Sequence, residues 1–355
     1  MKKGILLSML GLSLMLFTGC PYGYKYNEGK FPRDPINMDE LNSAYDDYNM
    51  ASPVIEGERY LYFSSNRNSG GSDFDIVGDI HHVIWYRDDG ILQVDNQSQG
   101  WKDYNYVDSL LRKINTGANE YGPHSLPYTY YISTDGWFYT DVVVYSNDLA
   151  GNQDIKMVYF NGEGENPASS DGHFYGPFPV AFLNSESNDA YPAYYGPGFV
   201  QFNWGSSPAQ ITELLFCSDR SGNFDIYYTE KPSEISLLNF LQKDTVLPVL
   251  PIAAVNSQSD DKCPFVDGEL LVFSSNRPGG IGGFDLYYSR RKDTGWSEPK
   301  NFGDRINTEY DEYRPLVVFY GEFENDLMLF SSNRPGGKGG FDLYYVGIDK
   351  MILND

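Results

Sequence analysis

The sequence predicts an all-β fold, a five-bladed β-propeller of four-stranded antiparallel sheets, and three observations predict it. First, one long motif recurs: LVFSSNRPGGIGGFDLYYS ends at Ser289 and LMLFSSNRPGGKGGFDLYYV ends at Val346, with weaker copies over Leu61–Val77, Val142–Ile155 and Leu214–Tyr228. Second, a shorter marker precedes each copy: LNSAYDD at Leu41, INTGANE at Ile114, LNSESND at Leu183, VNSQSDD at Val255 and INTEYDE at Ile306. Third, the segments between turns are apolar and aromatic, in runs or alternation, without helical periodicity. Two markers recurring in one order, several tens of residues apart, are the signature of blades that bury their faces only by stacking on neighbours.

Each unit justifies its strands in order. A carboxylate stands five residues after the marker Asn, at Asp47, Glu120, Asp189, Asp261 and Glu312. Pro follows three residues later at Pro123, Pro192, Pro264 and Pro315, with Met50 in the first unit, and the first strand starts here. Turns such as Asp135-Gly136 and Asp267-Gly268 suit tight hairpins. The next strand is the apolar run ending in FSSN, Pro278-Gly279-Gly280 leads into the FDLYY strand, and a fourth is expected around Trp296–Pro299. Residues 229–254 leave room for a degenerate sixth blade, and residues 31–40 could complete the last blade and latch the ring.

The FSSNRPGGxGGFDLYY motif, followed by GWSEPKNFGDRINTEYDEYRP, resembles the TolB-like, WD40-like (PD40) β-propeller repeat of bacterial envelope proteins. The match is tight over residues 255–346, looser over 183–230 and 41–77, and poor over 114–160, where the SNR triplet lacks its Arg and Gln153 replaces Phe. The resemblance implies a propeller in the cell envelope.

At the N-terminus, Lys2 and Lys3, an apolar stretch from Ile5 to Phe17, and Phe17-Thr18-Gly19-Cys20 resemble a bacterial lipoprotein signal, with Cys20 the lipidated residue. The expected organisation is a signal at 1–19, a lipidated Cys and tether at 20–40, and a propeller at 41–355. Membrane attachment would run through the lipid at the outer membrane. The late Glu28 and the opposing Lys25 favour the periplasmic face over the cell surface.

The formal charge of −23 falls to −25 once Lys2 and Lys3 are removed, so nucleic acid is an excluded partner class. Besides Cys20 there are Cys217 and Cys263, in adjacent units, read either as buried thiols or as a disulfide that an exported chain would permit. The His residues are scattered, the paired acids do not match a calcium loop, and no phosphate loop or nucleophile elbow is present, so neither metal nor cofactor is expected.

Residues present in every unit suit work that every blade needs. Asp75, Asp154, Asp225, Asp285 and Asp342 of the FD motif, and Asn42, Asn115, Asn184, Asn256 and Asn307 of the marker, are therefore read as structural, tying turns and strands together. No constellation unique to one blade marks a catalytic centre. Aromatic residues nominate an interface instead: Trp85, Tyr86, Phe174, Tyr175, Tyr194, Tyr195 and Trp204. The expected function is a non-enzymatic docking module that binds an envelope protein or complex, such as an outer-membrane secretion or assembly machine. The alternative is a carbohydrate-binding protein or divergent glycosidase, which would need a central funnel with exposed aromatics and unique acids.

Overall fold

Each marker-and-motif pair folds as one blade. The computed structural model describes residues 25–55, 58–95, 105–132, 136–163, 172–200 and 207–351, and in it five small antiparallel sheets form a ring, a five-bladed β-propeller. The inner strands, Asp47–Ala51, Glu120–Ile132, Asp189–Tyr195, Asp261–Asp267 and Glu312–Val318, pack against one another around the axis. The second strands are Glu58–Ser65, Gly136–Asn147, Glu213–Ser218, Leu270–Ser275 and Asp326–Ser332, and the third start at Asp75, Asp154, Asp225, Asp285 and Asp342. Their apolar runs are sealed between blades: Leu271, Val272 and Phe273 are buried completely, as are Leu329 and Phe330. Burial of this kind stabilises by about 1.5–3 kcal/mol per large side chain.

The marker Asn is the joint between blades. Its side-chain amide presents a donor and an acceptor like a peptide group, and it docks on the residue after the FD Asp of the preceding blade. Asn256 Nδ2 donates to Ile226 O (2.9 Å) while its Oδ1 accepts from Ile226 N–H (2.8 Å). Asn115 does the same at Ile76, Asn184 at Ile155 and Asn307 at Leu286. Asn42 reaches Leu343, 301 residues away, and so closes the ring.

The marker acid organises the blade from inside. Asp47, Asp189, Asp261 and Glu312 are fully buried and pair with Arg67, Arg220, Arg277 and Arg334 of the SNR triplets at 2.5–2.9 Å. Each Arg Nη2 also donates to the aliphatic carbonyl that opens the marker, at Leu41, Leu183, Val255 and Ile306. A third link crosses every junction, where the residue before the acid accepts the N–H of the motif Phe (Gln153 in blade 2): Phe74 donates to Asn119, Gln153 to Asn188, Phe224 to Asp260, Phe284 to Asp311 and Phe341 to Asp46. Asp260, Asp311 and Asp46, the first members of three of the paired acids, are occupied in this way.

The outer strands vary. His173–Pro179 edges blade 2 and Leu250–Pro251 blade 3. In blade 4 the expected strand around Trp296–Pro299 is present in part, as Gly295–Trp296 paired with Arg291–Lys292 and with Trp296 buried on Tyr195, and Lys300–Asn301 adds a second edge pairing at Tyr287–Tyr288. Blade 5 takes its edge from the N-terminal end, where Ile36 and Asn37 pair with Tyr345 and Tyr344. Phe31, sealed and stacked on Phe323 at 4.1 Å, fixes the same segment. The stretch read as tether thus supplies a latch. Residues 229–254 form no sixth blade; they carry a short helix, Leu237–Leu241, and the edge of blade 3. A second helix, Asn105–Ile114, buries Val107, Leu110 and Ile114 beside blades 1 and 2, a spacing of helical type that the strand pattern obscured.

Replacing Asn42 by Ala strands the N–H and C=O of Leu343 and should cost about 2–4 kcal/mol in urea unfolding. Deletion of residues 31–40 should lower the melting temperature further, and an unchanged transition would refute the latch.

Candidate active site at the propeller axis

The inner strands each slip register just after the acid, between Tyr48 and Ala51, Tyr121 and His124, Ala190 and Ala193, Lys262 and Phe265, and Tyr313 and Leu316. The residue in each bulge is left-handed: Asn49 (φ 61°), Gly122 (55°), Tyr191 (56°), Cys263 (56°) and Arg314 (48°). Asn and Gly adopt this conformation readily, whereas the other three hold strain of about 1–3 kcal/mol each, the kind that gathers at functional sites. These five meet across the ring. Asn49 Nδ2 donates to Tyr191 Oη (3.4 Å), the Arg314 guanidinium lies 5.5 Å from the Tyr191 ring and donates to Pro123 O (3.4 Å), and a Cβ on Gly122 would run into Tyr191.

The first Ser of FSSN supports this ring, as Ser146 Oγ accepts from Tyr191 N–H and Ser274 Oγ from Arg314 N–H. In blade 3 Cys217 stands there and faces the backbone of Cys263. Both thiols are free and buried, so the disulfide alternative is not realised. Burial pushes the Cys217 thiol up to about 12 and that of Cys263 well above its ordinary value. His124, sealed against Tyr194 and Phe265 near Arg314, is driven down to about 3 and is neutral.

One end of the axis is collared by the residues that follow the acids and by the motif Phe side chains. The collar runs Phe224, Lys262, Phe284, Tyr313, Phe341, Tyr48, Phe74, Tyr121, all half-buried. Neighbouring rings lie 4.9–6.2 Å apart, and Lys262 Nζ sits 3.9 Å from the centre of Phe224 and 5.5 Å from that of Phe284. The aromatic run breaks in one sector, where Gln153 replaces Phe and Ala190 replaces Tyr.

Beside that break stands the acid that differs from its four counterparts. The register of blade 2 puts Leu149 where other blades carry the SNR Arg, and it is 60 % exposed. Among the described residues Glu120 therefore has no cation partner. Its carboxylate takes Thr116 Oγ1 at 2.6 Å, Oε2 meets no hydrogen-bond geometry among the described residues, and burial raises its pKa to about 7 against the lowering influence of Thr116 and Asn147. Glu120 N–H donates to Phe74 O (2.7 Å), and Asp75 is close enough to add to the upward shift, so the two carboxyls, each next in sequence to a collar aromatic, are neighbours. Among the described residues Asp75 is held by Asn68 Nδ2 alone, whereas Asp285 and Asp342 each accept two hydrogen bonds from their loops and one from an edge-strand asparagine, Asn301 and Asn37. Asp225 accepts from Ser221 and Asn223, and Asp154 from Asn152.

The aromatic residues nominated as an interface divide. Tyr194 and Tyr195 are 0 % and 4 % exposed because they lie in the inner strand of blade 3, and they offer no docking surface. Trp85 and Tyr86 belong to a separate hairpin, His82–Tyr86 with Ile91–Asp95, where Trp85 packs toward Phe323 and Tyr86 is exposed. Phe174 and Tyr175 lie on the edge strand of blade 2, packed on Phe160 and Tyr159. Cys20 and Trp204 lie outside the described residues. The sequence reading passed over Glu120 and Arg314; the absent Arg in the second unit and the lone Arg before Pro315 were the available signals.

No family model and no curated protein matches the sequence. Solved structures similar to it include an exo-β-1,3-galactanase from Clostridium thermocellum (12 % identity, 90 % of this chain and 63 % of that one, TM-score 0.44). Others are an α-L-arabinofuranosidase from Lactobacillus brevis (12 %, 88 % and 94 %, 0.44) and a β-xylosidase/α-arabinofuranosidase from a compost metagenome (11 %, 90 % and 96 %, 0.45). The chain spans less than two thirds of the galactanase, and at these identities the likeness is one of fold. These findings correct two expectations. The TolB-like assignment has no family match behind it, and the propellers found are glycoside hydrolases, against the non-enzymatic docking module that the resemblance implied.

Glu120 yields a pH prediction. A carboxyl whose folded pKa is raised from 4.5 to about 7 keeps its proton in the native state where the unfolded chain has lost it. Its contribution is therefore largest below the unfolded pKa and is lost as pH rises to 7. Relative to Glu120→Gln, the wild type should lose on the order of 1 kcal/mol between pH 5 and pH 8. Leu149→Arg, which restores the missing cation, should abolish that loss in thermal melts.

Proposed function

We propose that the protein is a carbohydrate-active propeller, a divergent glycosidase whose substrate enters the collared end of the axis. The observation that carries the reading is Glu120, the marker acid without an Arg partner, protonatable near neutrality and near Asp75 at the collared end. Aromatic faces suit the apolar C–H faces of sugar rings, and a few polar groups among them fix orientation. A carboxyl with a raised pKa is the proton donor that departure of a glycosidic oxygen requires, and a second carboxylate activates water or stabilises the oxocarbenium-like transition state. Glu120 takes the first role and Asp75 the second. Because Glu120 is fully buried, binding must displace the Phe74 or Tyr121 ring to expose it. Attachment at Cys20 belongs to the same proposal and would hold this activity at the outer membrane.

Aryl arabinofuranosides, xylosides and galactosides are the first probes. Hydrolysis should fall at least 100-fold in Glu120→Gln and should lose its alkaline limb near pH 7, while Cys20→Ala should move the protein from the membrane to the soluble fraction. A panel of glycans neither bound nor cleaved by the folded wild type would refute the assignment.

A further inference from the structure

Arg314 is among the largest fully buried side chains, 1 % exposed at the centre of the ring. The four SNR arginines each meet a buried carboxylate, but Arg314 makes no ion pair among the described residues. Its Nη2 reaches Pro123 O at 3.4 Å, and Nε and Nη1 have no hydrogen-bond partner. A guanidinium does not shed its proton in a protein, and a buried, uncompensated charge costs several kcal/mol. The neighbours cannot supply the balancing charge. Burial holds Cys217, Cys263 and Tyr191 above their ordinary pKa values, so all three are neutral. The backbone strain at Arg314 (φ 48°) shows that the fold holds this side chain on the axis at a cost.

We propose that the propeller axis is an anion site, in which Nε and Nη1 of Arg314 hold a small monovalent inorganic anion of the halide class. One guanidinium balances one negative charge, which disfavours multivalent oxyanions, and the thiol and phenol hydrogens of Cys263 and Tyr191 suit a soft monatomic ligand. The anion would neutralise the axis and tie blade 5 to blades 3 and 4 across the ring. This site is independent of the carbohydrate reading, since it lies at the centre of the ring and uses neither Glu120 nor Asp75.

The test uses wild-type crystals grown or exchanged in bromide, with data collected at the bromine edge, and thermal melts in which bromide replaces gluconate at constant ionic strength. The expected results are an anomalous peak within hydrogen-bonding range of Arg314 and a melting temperature that rises about 2–4 °C per tenfold bromide once binding begins. Arg314→Met should remove the bromide dependence; Arg314→Lys, which keeps the charge, serves if Met prevents folding. Bromine absent from the axis, or melts identical in bromide and gluconate, overturns the proposal.

Discussion

The ring depends on the side chain of one asparagine per blade standing in for a strand. A propeller blade must be fixed against its neighbour in distance and in rotation, and apolar packing alone fixes neither. The paired amide bonds at Ile76, Ile155, Ile226, Leu286 and Leu343 supply both constraints, because two nearly parallel hydrogen bonds to one residue leave no freedom to turn. The acid and its Arg then set the approach to the axis. That order of importance explains blade 2, which lost the Arg and keeps Asn115: the joint holds, and only the acid changes its chemistry.

Divergence is concentrated in one sector. Leu149 for Arg, Gln153 for Phe and Ala190 for Tyr all fall in blade 2 or at the start of blade 3, next to Glu120. Elsewhere the repeat is held by close fits: a Cβ on Gly280 or Gly337 would run into the FD Asp, and one on Gly282 or Gly339 into the backbone of the next blade. The tight PGGxGG copies are thus loops with no space to vary. The second unit, built around a different loop, escaped that restraint, and the most worn copy is where a distinctive ionisable group arose.

The fold was legible because period and turn chemistry repeat. The five acids, the five Asn residues and the Gly-rich loops each answer a local geometric need that composition alone displays. The site was not, for a physical reason. Glu120 looks like Asp47 or Glu312 in one dimension, and its difference lies in a partner missing 29 positions later. Tyr194 and Tyr195 misled in the opposite direction, since an aromatic run reads alike whether it lines a surface or the inner strand of a blade. Arg314 needed the axis itself to be visible, because only the crossing of non-adjacent blades shows that its charge has no counterpart.

The latch has a consequence for biogenesis. Ile36 and Asn37 are translated well before Tyr344 and Tyr345, their strand partners. A nascent chain therefore cannot close the circle before the strand Asp342–Ile348 has been made. A polypeptide that lacks this strand stays open, and a product truncated before it is left with unpaired edges on both sides of the gap for quality control to recognise.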